Sequence, residues 1–250
     1  MKTISKLIRV AGSIGLGVAL LAVSSAPTYA VDGATECTQI AAASVKSGAA
    51  LTAKLASMDS DFSTRLASIA SRDTTVDAKV ADARTKAMTA FDAKVASMEA
   101  KTGLTTDQKA AITTFSTSMH TAETTRETAV DAARTTYRTD LIATVKTHQT
   151  NLTNAATTYQ SSVAAAFATG STDCTKADGT AIAALKASVK TAKTTFQTAR
   201  SDAKVTADIQ ALIKTRNAAI EAADAAFTQA VGTYTATLST ALGTTASSTN

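Results

Sequence analysis

Catalytic chemistry needs a few ionisable or nucleophilic side chains gathered in one place, and this sequence offers few candidates. Two cysteines, Cys37 and Cys174, and two histidines, His120 and His148, are all it holds of either type. Two histidines on different helical layers do not make a metal site, which needs three or four converging ligands. The sequence has no Gly-rich phosphate loop and no Cys/His pair at nucleophile spacing. Its carboxylates are spread along the chain. The expectation is a protein that is not an enzyme and carries no catalytic, cofactor-binding or metal-binding residues and no cofactor. The cysteines point instead to a structural bond. They sit in near copies, Thr35-Glu36-Cys37-Thr38 and Thr172-Asp173-Cys174-Thr175.

The compartment supports that bond. Lys2, Lys6 and Arg9 precede an apolar run from Val10 to Val23, and Thr28 and Ala30 stand at the positions of a small-residue cleavage site. Residues 1–30 therefore read as a secretory signal peptide. The apolar run is short for a membrane span, so no stable span is expected after cleavage. Export makes the chain secreted, periplasmic or surface-held, where a pair of cysteines closes into a disulfide. Three of the 25 basic residues leave with the signal, so 22 face 20 acidic ones. That balance gives no electrostatic basis for binding nucleic acid.

These residues must be carried by some element, and composition says which. Ala and Thr number 56 and 47 of the 250 residues, and Pro27 is the single proline. Alanine is the best helix former, and nothing past the signal breaks a helix outright. Gly103, Gly170 and Gly243 are candidate left-handed helix ends. Thr105 and Gln108 form a capping box. Helices are expected near 38–101, 106–168 and 180–242, each about 90 Å long, with 31–244 as one rod and 245–250 as a frayed tail.

An eleven-residue period supports three helices from one pattern. Apolar side chains recur at steps of zero, four and seven: Leu51/Leu55/Met58 and Phe62/Leu66/Ile69 in the first helix; Phe115/Met119/Ala122 through Tyr159/Val163/Ala166 in the second; Val205/Ile209/Leu212 through Phe227/Val231/Tyr234 in the third, from its middle onward. Short connections make neighbouring helices antiparallel. The fold class is therefore all-α, an elongated antiparallel three-helix bundle, up-down-up and coiled-coil-like. Cys37 and Cys174 then lie at the same end, and their bond closes a loop that contributes about 4–5 kcal/mol in the chain-entropy account.

Some seam positions carry charge: Asp73, Asp77, Arg84, Arg126 and Arg216. Reflection about the turns puts Asp73 level with Arg134 and Lys214, and Arg216 level with Thr75. The expectation is a buried polar layer of Asp73 and Asp77 with Arg216 and either Arg126 or Arg134, locking register. His148 also falls on the seam, with Asp59 at its level.

Opposite the seam, the second helix presents Thr113, Thr117, Thr124, Thr128, Thr135, Thr139, Thr150 and Thr157. As a neutral coat this suits an exported rod, and hydroxyls of this kind can also carry glycans. Asn151-Leu152-Thr153 is a glycosylation sequon. The Ala-rich helix with Thr at eleven-residue spacing resembles the type I fish antifreeze proteins. That resemblance covers the second helix alone and implies a flat Thr/Ala face that orders water and binds ice.

Three functions compete on this reading. The first is a non-catalytic structural or scaffold protein of the cell envelope or surface. The second is an extracytoplasmic holding chaperone or protein-interaction module. The third is an ice- or surface-binding protein. Protein partners or self-association fit each of them.

Overall fold

The computed structural model describes residues 33–176, 180–203 and 205–243. The expected signal peptide at 1–30 and the tail at 245–250 lie outside the described residues. Helix α1 runs Gly33–Glu99, α2 Thr106–Asp173, α3 Ala181–Asp202 and α4 Thr206–Ala241, with a 3-10 turn at Cys174–Lys176 after α2. There is no strand among the described residues. The protein is an all-α helical bundle.

The chain packs as two compact units, one taking residues through Leu66 and Ala143–Ala207, the other Ala67–Ile142 and the chain from Asp208. In the first, Ile40, Leu51 and Met58 of α1 meet Leu152, Tyr159, Val163 and Phe167 of α2 and Leu185, Val189 and Phe196 of α3. Gln160 reaches Thr52 and Gln149 reaches Asp59, so α1 and α2 are antiparallel here. In the second unit a buried cluster of Val95, Ile112 and Leu238 is ringed by Phe91, Met98, Phe115 and Leu242, and Val130 and Ile209 are buried further along. Its turn is built as the sequence specifies. Gly103 takes φ 85°, in the region a side chain disfavours. Gln108 accepts from the Thr105 N–H at 3.0 Å while its own N–H donates to Thr105 Oγ1 at 3.2 Å, which satisfies two donors at the start of α2.

The eleven-residue frame accounts for burial along the helices. The seam positions of α2 and α4 are buried or half-buried, and those of α1 depart only at Asp77, which is exposed. The third segment, expected as one helix over 180–242, is instead two. The inward residues of α3 and its cap are Ala181, Leu185, Val189, Ala192, Phe196, Ala199 and Ala203, and those that follow are Val205, Ile209, Leu212 and Arg216. Each set follows the period, but the second set starts two residues early, since Val205 comes two residues after Ala203 where the frame calls for four. Two residues turn an α-helix by about 200°. An unbroken helix would aim the α4 seam away from its partners, so the backbone is interrupted between Asp202 and Thr206 without any Pro or Gly.

Gly170 is a second correction. It does not end α2, which continues to Asp173. It is buried inside the helix, where a Cβ would lie 3.6 Å from Ile40 and Leu185. Gly243, by contrast, takes φ 73° past the end of α4.

Candidate functional site

The best-defined polar construction lies at the cysteine end of the first unit. Cys37, on the first turns of α1, is bonded to Cys174 in the 3-10 turn after α2, with 5.3 Å between their Cα atoms. Cys37 therefore lies within α1, which begins at Gly33 and not near 38. The neighbouring Glu36 is only 2% exposed. Its Oε1 accepts the backbone N–H of Ile182 at 2.9 Å. Ile182 is the second residue of α3, and Thr180 before it makes no side-chain capping bond. A carboxylate at this place satisfies an orphan donor and faces the positive end of the helix dipole. Its other oxygen is buried with no hydrogen-bond partner among the described residues. Disulfide and cap together fasten the starts of α1 and α3 to the end of α2. The sequence names the cysteines, but Glu36 shows no signal beyond standing next to one of them.

The charged seam residues lie in the second unit and do not form the expected layer. Asp73 and Asp77 form their ion pairs with none of Arg216, Arg126 and Arg134. Both are held by Arg138, whose Nε lies 3.3 Å from Asp73 and whose Nη1 lies 2.6 Å from Asp77. Reflection about Gly103 had placed Asp73 opposite Arg134, and the true level is one helical turn further along α2. Nor is the layer buried: Asp77 is exposed, and the Arg138 side chain keeps 24% of its surface. The Arg138 guanidinium holds the Asp77 carboxyl below its ordinary range. Arg84 makes a two-pronged bond to Asp131 at 2.7 and 2.9 Å, lowering that carboxyl in the same way, and lies 3.2 Å from Glu127. Arg134 stands 4.0 Å from Asp131.

Arg126 and Arg216 do sit on the seam, and their task is to cover rings. Arg126 lies 5.2 Å over Phe227 while donating to Asp224 at 2.6 Å and Glu123 at 3.0 Å. Arg216 lies 4.6 Å over Tyr137 and bonds Asn217. Long arginine stems bury their carbons and carry the charge outward, so a seam position tolerates them. Beneath Arg216 the Tyr137 hydroxyl is buried without a partner among the described residues, and burial raises its pKa. Arg138, Asp131 and Asp224 escaped the sequence reading because they flank the seam, where charge is ordinary.

His120 is exposed enough to reach Asp92 at 2.8 Å and packs edge-on against Phe91. His148 differs from expectation: Asp59 is engaged by Gln149, and neither ring nitrogen of His148 has a hydrogen-bond partner among the described residues. Burial pushes its pKa below the usual imidazole value, opposed by the nearby Ala203 backbone.

The threonine row is placed as its spacing implies. Thr113, Thr117, Thr124, Thr128, Thr135, Thr139, Thr150 and Thr157 are all exposed. Several donate their hydroxyl to the carbonyl four residues earlier: Thr113 to Lys109, Thr117 to Thr113, Thr128 to Thr124 and Thr150 to Lys146. Such back-bonding consumes the hydroxyl proton, so these side chains offer water a methyl group and oxygen lone pairs. Between α2 and α3 of the first unit lies an open groove of about 470 Å³, floored by Tyr159 and Phe196, whose rings are 5.5 Å apart, and edged by Thr158, Ser162, Ser188 and Thr191. No helix among the described residues is long and apolar enough to cross a membrane. Comparison with protein-family models, curated proteins and solved structures finds no match to this chain.

Proposed function

We propose that the protein is an exported, non-catalytic helical scaffold of the cell envelope or surface. The supporting observation is the division of labour along the helices. One face follows an eleven-residue seam that turns inward, while the opposite face of α2 is a coat of exposed threonines, several with their hydroxyl protons directed to the backbone. Among the described residues Val45 and Val76 are the large apolar side chains left exposed, which offers little of the apolar surface that a holding chaperone needs. The disulfide suits an oxidising compartment.

The test is intact mass measurement combined with cell fractionation of the native protein. The expected species lacks residues 1–30, carries the Cys37–Cys174 bond and is found in the envelope or medium. A full-length, reduced chain in the cytosol would overturn the reading.

The groove between α2 and α3 favours a second reading, an interaction module that accepts an apolar helix face from a partner protein. Filling it with Ser188→Trp would abolish capture of such a partner and leave a pure scaffold role untouched.

A further inference from the structure

In the first unit, burial disfavours the charged form of one histidine. His148 is on the seam of α2, and both of its ring nitrogens are shut away from water with no hydrogen-bond partner among the described residues. At its level the third segment is interrupted: α3 stops at Asp202, Ala203 closes it with a bond from its N–H to the Ala199 carbonyl at 3.1 Å, and α4 starts at Thr206. The Ala203 backbone is the polar group that acts on the ring.

Charged residues exist on every neighbouring element. They are Asp59, Asp61 and Arg65 on α1, Lys146 on α2, Arg200 and Asp202 on α3 and Asp208 on α4. None of these compensates the ring: the influences on it are burial, which disfavours the charge, and the Ala203 backbone, which favours it weakly. Asp59, the α1 carboxylate expected at its level from the sequence, is bonded to Gln149 instead.

We propose that His148 is an acid-sensitive latch on the interruption of the third segment. Neutral, it fills the seam beside Ala203. Protonated, it carries two N–H donors and a charge against which the Ala203 backbone is the one compensating group acting on the ring, so the remaining donor must reach water. The walls formed by α1 and α2 are continuous helix, whereas the third segment stops at Asp202 and resumes at Thr206. That stretch is therefore the one that yields, freeing the last turn of α3 from α2.

Hydrogen exchange on the full-length protein tests this, with rates corrected for the intrinsic effect of pH. Amides of 199–209 should open more often as pH falls below the ordinary imidazole value. A single proton limits the rise to about tenfold per pH unit. The rise should vanish in His148→Gln and in His148→Leu and persist in His120→Gln. Having two His148 variants keeps the test valid if one fails to fold. Equal protection at pH 7.5 and pH 5 in the native protein would overturn the proposal. So would a pH response that survives in both His148 variants, or one steeper than a single proton allows.

Discussion

At the scale of single residues, the polar side chains that matter most are those whose partners come from another helix. Glu36 is the clearest case, because its carboxylate is the acceptor for the Ile182 N–H. Glu36→Ala should lower stability by about 1–3 kcal/mol, the usual cost of stranding a buried donor. Glu36→Gln, which keeps an acceptor oxygen, should lose less; denaturant unfolding of the two variants checks the order. The surface pairs behave differently. Asp131, held by Arg84, has a folded carboxyl pKa below its free value of 3.8. Its contribution is complete above that value and disappears as pH falls through the folded pKa. Arg84→Gln should therefore cost no more than about 1 kcal/mol at neutral pH and should flatten the loss of stability below pH 4, as followed by acid titration of helicity. Sequence reasoning found that charge enters the seam at Asp73, Asp77, Arg126 and Arg216. It could not find their partners, because a level error of one turn exchanges Arg134 for Arg138, and both are plausible on charge alone.

The helices themselves were largely legible. Periodicity, the Thr105–Gln108 box and Gly103 define α1, α2 and the turn between them, because each is a local signal with a direct backbone consequence. Gly170 and the split third segment were not legible from local signals. Gly170 resembles a terminator by type, yet packing of Ile40 and Leu185 against it keeps the helix running. An added methyl would sit at ordinary contact distance, so Gly170→Ala should stabilise the protein by about 0.5–1 kcal/mol through helix propensity, read as a raised unfolding midpoint. The interruption after Asp202 has no breaker residue and is encoded only as a two-residue slip of the seam. Inserting two alanines after Ala203 brings Ile209 and Leu212 back into phase with Phe196. That variant should show slower amide exchange around 200–208 than the native chain, and unchanged exchange there would refute the phase explanation.

For the whole molecule, composition had set the class of fold, since an Ala/Thr-rich chain with an eleven-residue repeat can bury a thin seam but cannot build a thick core. Thin packing makes the covalent tie count for more. The bond joins positions 137 apart in sequence, so the chain-entropy account assigns it about 4–5 kcal/mol. Cys37→Ser with Cys174→Ser, or reduction, should lower the unfolding midpoint by a matching amount, and an unchanged midpoint would show that the unfolded chain gains little freedom without the bond. The same tie has a mechanical side. When the polypeptide is pulled from points outside the cysteines, tension passes straight from Cys37 to Cys174 through the sulfurs. The greater part of α1 and all of α2 then lie on a slack branch that the load never enters. What tension can unravel is α3 and α4, so an oxidised molecule held between two anchors would stretch by shedding its third helical segment while its first two helices stayed wound.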